Sequence, residues 1–409
     1  MTIGIIGLGA AGMMAAATVQ ELHPDYQIIL IEKNAVMGQK VQISGGGRCN
    51  VTTGIRDIKN VLTHYPRGNK FLNTAMYHFS PEQVYNWFEA HGLPLTTESD
   101  MRVFPQSNDG KAVINVFEKL FQHKNITRYL STSVTGIKKT ADQFAITLKS
   151  GEIINTDKLI ITTGGQAYRH TGSTGDGYGF AESLGHHITP LAASLNSFVI
   201  KQPWIRDLAG VSFSQVGLSI SQQSKFHFTG PIVFTHQGIS GPAVFALSSQ
   251  VAFLSYPLSV LLDFIPALTA IQLLEQLNTL IIEHPKQQLS TTLHYWLPKS
   301  VVTTIITAQN LPGDKPNNEI SKTLRNIIVN CLKKFTVSVV GKGSGDEFVT
   351  AGGIELTEVN PRTMESKICP GLWFAGEILN IDGYTGGFNL QAAWATGHLA
   401  GSNIHDINQ

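Results

Sequence analysis

Ile3-Gly4-Ile5-Ile6-Gly7-Leu8-Gly9-Ala10-Ala11-Gly12 opens the chain, followed by a helix-prone stretch from Met13 to Leu22 and a second apolar run, Ile28 to Ile31, that ends at Glu32. Strand, glycine turn, helix, strand and terminal acid fall in the order of a dinucleotide-binding βαβ unit. Each glycine plays its own physical part. Gly7 permits the tight turn, Gly9 lets the backbone approach a pyrophosphate, and Gly12 allows helix and strand to pack closely. The helix start at Ala10 and Ala11 offers free N–H groups to the phosphate charge. Glu32, with Lys33 beside it, stands where a carboxylate accepts hydrogen bonds from a ribose diol, which argues against a 2′-phosphate there. The fingerprint by itself serves FAD and NAD equally.

Working outward, Lys40 precedes Ser44-Gly45-Gly46-Gly47-Arg48-Cys49-Asn50. Three glycines between a serine and an arginine predict a loop of exposed N–H donors, suited to a phosphate or to the polar edge of a flavin ring. The run Lys158 to Thr162 predicts a buried strand leading into Thr163-Gly164-Gly165, and hairpin signals over 129–149 include Val134. Far downstream, an apolar strand ends at Gly376-Glu377, and Asp382 precedes Gly386-Gly387-Phe388-Asn389, where a diglycine opens a terminal helix. A nicotinamide-only domain has no use for this terminal edge. An extended FAD does, because its flavin reaches residues at the end of the chain.

Between these edges the texture changes. Residues 191–264 and 335–349 alternate apolar and polar, which predicts a small antiparallel sheet or barrel, and residues 265–334 are helical in pattern. The expected fold is therefore α/β: a discontinuous Rossmann-like domain over 1–190 and 350–409, with residues 191–349 inserted.

Composition narrows the function classes. Lys and Arg number 30 against 29 Asp and Glu, with no block of like charge, so neither nucleic acid nor an anionic membrane is an expected partner. Cys49, Cys331 and Cys369 form no CxxC pair, which suits a reducing cytoplasm and disfavours a redox disulfide. No metal-binding spacing of histidines appears among the 14.

The motifs resemble the bacterial FAD-binding flavoproteins that include aminoacetone oxidase-like proteins and a bile-acid-dehydroxylation reductase. The likeness rests on Gly7 to Gly12, Ser44 to Asn50, Arg102-Val103-Phe104-Pro105, Thr163 to Gly165 with Gly172 to Gly177, Phe234 to Pro242, Glu365 to Lys367, and Gly376-Glu377 through Asn389-Leu390-Gln391. It implies a two-domain flavoprotein with noncovalent FAD and oxidoreductase chemistry. The chain departs from the family at Met101, at Tyr168-Arg169 and at Phe388. Arg169 and Phe388 stand where the flavin's reactive side is expected, so substrate preference is the property these departures touch.

A bound flavin supplies the redox chemistry, so few catalytic side chains are needed. Three candidates carry two readings each. Cys49 is a flavin-proximal thiol or a packed core residue, His236 an acid–base group or a structural loop histidine, and Arg102 a stabiliser of negative charge or a surface ion pair. The expected activity is hydride transfer between flavin and a small or apolar organic substrate. NADH, NADPH or dioxygen would be the second partner, and with only one Gly-x-Gly-x-x-Gly a nicotinamide would visit transiently. The competing expectation is an FAD-loaded binding or RNA-modifying protein without substrate redox turnover, whose RNA form a basic face assembled in three dimensions would favour.

Overall fold

The computed structural model describes residues 1–221, 223–343 and 348–405. The chain divides into two compact units, Met1–Ser194 with Asp346–Gln409, and Leu195–Gly345.

In the first unit, β1 (Thr2–Ile6) and β2 (Gln27–Ile31) lie side by side in a five-stranded sheet whose hydrogen-bonded neighbours all run parallel. The order is Leu372–Phe374, Lys158–Ile161, β1, β2, Ile126–Tyr129. A sheet of this kind is covered on both faces, so its strands are continuous apolar runs: Ile3, Ile5, Leu159, Ile160, Ile161, Leu372 and Phe374 have no exposure. Helix α1 (Ala10–Leu22) is buried from Ala10 to Val19 and packs on the terminal helix Phe388–Ser402. Small residues set that approach. A Cβ on Gly397 would lie 2.4 Å from the Ala11 carbonyl oxygen, and one on Gly401 would lie 2.7 Å from that of Ala15.

Two segments differ from their sequence reading. The glycine run is not an open loop: helix α2 (Gln39–Ile43) leads into a tight turn, Ser44–Gly47, in which Gly45 and Gly46 have φ of 58° and 71°. The glycines are needed because the turn passes through the left-handed region. The 191–264 segment also holds a helix, Pro242–Gln250, beside its strands. Its apolar residues are spread around the helix, so no one-sided stripe marks it.

The second unit is a closed barrel with the circuit Phe198–Ile200, Gly238–Ser240, Gln223–Phe234, Ser212–Ile220, Leu258–Asp263, Phe335–Lys342. Its helices include Ala270–Glu283, Lys299–Ala308 and Lys322–Lys333, and strands and helices share one core. Among the described residues no helix is long and apolar enough to cross a membrane, and no cluster of metal-binding side chains occurs.

Candidate functional site

At the carboxyl end of the parallel sheet, β1 gives way to the glycine turn. Gly7 has φ of 92°, and a Cβ there would meet the Thr162 carbonyl oxygen at 2.8 Å. Thr162, missed in the sequence, braces the turn: its hydroxyl donates to the Gly7 carbonyl at 2.7 Å. Gly12 is closed in, since a Cβ would sit 2.0 Å from the Gly7 oxygen and 2.6 Å from Thr162 Oγ1. Gly9 is the opposite case, with no protein atom within 4 Å of the position its Cβ would take. The first helical bond runs from Met13 N–H to the Gly9 carbonyl at 3.0 Å. The N–H groups of Ala10, Ala11 and Gly12 therefore lack intrahelical acceptors, and no side chain caps the helix start. The result is an open cradle of backbone donors at the positive end of a helix, the arrangement that binds phosphate.

Glu32 directly follows β2 and is buried. Its Oε2 accepts the Leu8 N–H at 2.8 Å and its Oε1 accepts the Asn34 N–H at 2.9 Å. These bonds lock the carboxylate beside the cradle and leave acceptor capacity for a diol. Thr132 N–H donates to the Glu32 carbonyl and Ser131 N–H to that of Asn34. This ties the segment before Val134, the first residue of the strand Val134–Lys139, to the same edge. Lys33 reaches Asp176 at 2.6 Å and Thr174 at 2.5 Å. Burial works to raise the Asp176 carboxyl, but the hydrogen bonds from Lys33 and Thr174 hold it below its usual range.

Around the neighbouring strand end, Thr163 and Gly164 continue from Lys158–Ile161. Thr163 Oγ1 and the Tyr178 hydroxyl are buried with no hydrogen-bond partner. Burial and the Glu377 carboxylate push the Tyr178 hydroxyl's pKa well up, so it stays a donor. Glu377, beside Gly376, accepts Lys40 Nζ at 2.6 Å and the Thr350 N–H at 2.9 Å, which joins the early and late segments.

Gly46 and Gly47 are exposed, and nothing lies within 4 Å of where their Cβ atoms would be. Ser44 is turned inward, its hydroxyl donating to the Val41 carbonyl. Asn50 Oδ1 accepts the Val103 N–H at 3.1 Å. Gly386 and Gly387, with φ of 126° and 90°, lead into the terminal helix. Asn389 closes that loop: its Oδ1 accepts the Gly383 N–H and its Nδ2 donates to the Gly383 carbonyl, both at 2.8 Å. Gln391, missed as a site-shaping residue, is fully buried, accepting the Thr52 hydroxyl at 2.6 Å and donating to the Phe79 carbonyl at 2.9 Å.

These contacts bear on the remaining candidates, and for Cys49 and Arg102 they favour one of the two readings each carried. Cys49 has no exposure, and burial raises its thiol to about 12 despite the Ser44 hydrogen bond that lowers it, so it is a core residue and not a reactive thiolate. Arg102 is exposed and paired with Asp100 at 2.7 Å and Glu98 at 3.1 Å, the surface ion-pair alternative. Arg48 is engaged as well, with Glu98 at 2.5 Å and with its guanidinium 3.7 Å from the Phe104 ring. Asp382 is 1% exposed and holds Arg67 and the Ser194 hydroxyl, so its carboxylate anchors the protein rather than cofactor hydroxyls. The Phe388 side chain is buried, stacked on His64 at 4.2 Å and edge-on to Tyr65. His236 is an exposed turn residue of the other unit. Arg67 carried no local signal, because its partner Asp382 is 315 residues away.

The deciding comparison is with protein families: the family described as HI0933-like protein Rossmann domain matches residues 1–403. The chain belongs to this family. Over 404 residues it is 29% identical to the 3-dehydro-bile acid delta(4,6)-reductase of Clostridium scindens, spanning 98% of each chain. It is also 29% identical over 393 residues to the ribosomal RNA dihydrouridine synthase of Escherichia coli, spanning 96% of this chain and 95% of the relative. The protein of the same name from Haemophilus influenzae is 27% identical over 408 residues, spanning 98% and 97%. Among solved structures, the 3-ketosteroid delta1-dehydrogenase of Sterolibacterium denitrificans is similar at a TM-score of 0.50 and 12% identity, with 98% of both chains covered. An Escherichia coli quinol fumarate reductase matches at a TM-score of 0.50 and 16% identity, with 98% of this chain and 69% of that one covered. These last two show a shared fold.

Proposed function

We propose that the protein is an FAD-dependent oxidoreductase that reduces a carbon–carbon double bond conjugated to a carbonyl, with NADH or NADPH as electron donor. One observation carries the cofactor assignment: the backbone cradle at Gly9 is open where Gly12, three residues on, is sealed by protein atoms. The cradle, the buried Glu32 carboxylate and the partnerless Thr163 and Tyr178 hydroxyls fit a dinucleotide. Ala10, Ala11 and Gly12 would hold the pyrophosphate, Glu32 the ribose, and the Gly46–Gly47 and Gly386–Gly387 turns the remaining polar edges. When bound, FAD supplies a two-electron carrier that accepts a hydride from one partner and passes it to another. The chain's own part is to fix that carrier. The Lys40–Glu377 pair clamps two distant segments of the site, and Asn389 holds the loop before the terminal helix. Cys49 and Arg102 take no proton-transfer role.

The choice of bond is supported by the reactions named for the relatives. A delta(4,6) double-bond system beside a 3-dehydro group and the C5=C6 bond of uracil are both conjugated to a carbonyl, so one hydride-accepting chemistry serves both. A small or apolar enone is the first reading. The second, a uracil of ribosomal RNA, is supported by two relatives that match the chain nearly end to end. In the test, FAD-loaded protein is treated under nitrogen with NADH or with NADPH and then offered a 4,6-dien-3-one steroid or an unmodified ribosomal RNA transcript. Return of the oxidised flavin spectrum with the steroid supports the first reading, and dihydrouridine found by mass spectrometry supports the second. Failure of both nicotinamides to bleach the flavin, or of both acceptors to restore it, overturns the proposal.

A further inference from the structure

The two units differ in charge. Leu195–Gly345 holds eleven Lys and Arg against six Asp and Glu, whereas the rest of the chain holds nineteen against twenty-three. Some of those cations are used internally: Lys333 pairs with Asp263 at 2.6 Å, and Arg325 donates to Asn278 and to the Ile320 carbonyl. Lys201, Arg206, Lys299 and Lys334 are among the exposed cations of this unit that have no ion pair among the described residues.

The barrel gathers three of these cations. Lys201 leaves the strand Phe198–Ile200 with its N–H bonded to the Ser338 carbonyl at 2.9 Å, which sets it beside the strand Phe335–Lys342. Lys334 directly precedes that strand. Arg206 lies on the turn Pro203–Leu208, whose Trp204 ring is 5.5 Å from Phe335. The helix Lys299–Ala308, begun by the fourth cation, packs against the same turn. Asp207 is the acid in that turn and is outnumbered. These cations are thus exposed residues on elements that contact one another, around a half-buried indole, and cations so grouped suit the spaced phosphates of a folded RNA.

We propose that this face of Leu195–Gly345 docks the phosphate backbone of structured RNA. The inference rests on the second reading above and adds the surface by which such a substrate is held. Phosphate contacts position and do not read sequence, so affinity for any structured RNA should fall together when the cations are removed.

The test measures anisotropy of a labelled ribosomal RNA hairpin titrated with the full-length, FAD-loaded protein across salt concentrations. The variant K201Q/R206Q/K299Q/K334Q is compared with a control that loses four exposed lysines of the other unit, K59Q/K70Q/K119Q/K124Q. Flavin absorbance and circular dichroism verify folding, and the double variant K201Q/R206Q substitutes if the quadruple one fails to fold. The expected result is binding at least about tenfold weaker, with a log–log salt slope lower by about 3 for four lost contacts, and little change in the control. Wild-type affinity in the barrel variant, equal loss in the control, or no RNA binding by the native protein at physiological salt overturns the proposal. So does binding to phosphatidylserine vesicles in place of RNA. Tight, cation-dependent RNA binding without dihydrouridine formation leaves the docking face standing and removes the RNA-substrate reading.

Discussion

Gly9→Ala and Gly12→Ala add the same methyl group three residues apart, and the structure assigns them opposite fates. At Gly9 the backbone is extended, with φ of −78°, and nothing lies within 4 Å of the new methyl. Its cost to the apoprotein is the poorer capping of alanine, a few tenths to about 1 kcal/mol. Its cost to the holoprotein is larger, because the methyl occupies the approach of the pyrophosphate to the helix start. Displacing one charged hydrogen bond costs about 1.5–3 kcal/mol, or roughly 10- to 100-fold in Kd for FAD. At Gly12 the methyl would stand 2.0 Å from the Gly7 carbonyl oxygen, a backbone atom fixed by the turn. Overpacking there should destabilise the apoprotein itself by about 3 kcal/mol or more. Urea unfolding of both apoproteins, paired with flavin-fluorescence titration of FAD, separates the two effects. Unchanged FAD affinity in Gly9→Ala would refute the cradle, as would equal destabilisation of the two apoproteins.

Other expected outcomes concern single groups. Asn389→Ala removes two 2.8 Å bonds to Gly383 and should lower stability by about 1–3 kcal/mol, read from urea midpoints; an unchanged midpoint would show that the loop needs no staple. Cys49, whose thiol is raised to about 12 by burial, should resist Ellman's reagent at pH 8 in the native protein and react once it is unfolded. His398 is lowered to about 4 by burial and by His78. Its folded pKa is depressed, so the unfolded chain binds the proton first as pH falls. Stability should therefore decline between about pH 6.5 and 4, by on the order of 2–3 kcal/mol from this group. His398→Phe should flatten the decline, and a profile identical to wild type would contradict the assignment.

The nucleotide edge was legible in the sequence because its determinants are local. Gly7, Gly9, Gly12 and Glu32 act through backbone geometry and fixed spacing, and the structure places all four at one sheet end. The contacts that the sequence did not reveal are long-range. Asp382 meets Arg67 and Ser194, and Arg48 meets Glu98 and Asn108; no spacing rule links such positions. The Pro242–Gln250 helix escaped because residues such as Ala243, Val244, Ala246 and Leu247 are all buried, which erases the periodic contrast that marks a helix. The proposed basic face left no sequence signal for a related reason: Lys201, Arg206, Lys299 and Lys334 are scattered along 134 residues of a nearly neutral chain.

The central claim is tested most directly by quantifying flavin in the purified protein, before and after incubation with FAD and removal of the excess. The account predicts a yellow protein that releases FAD equimolar with the chain when denatured. A colourless protein that retains no FAD after incubation would contradict it.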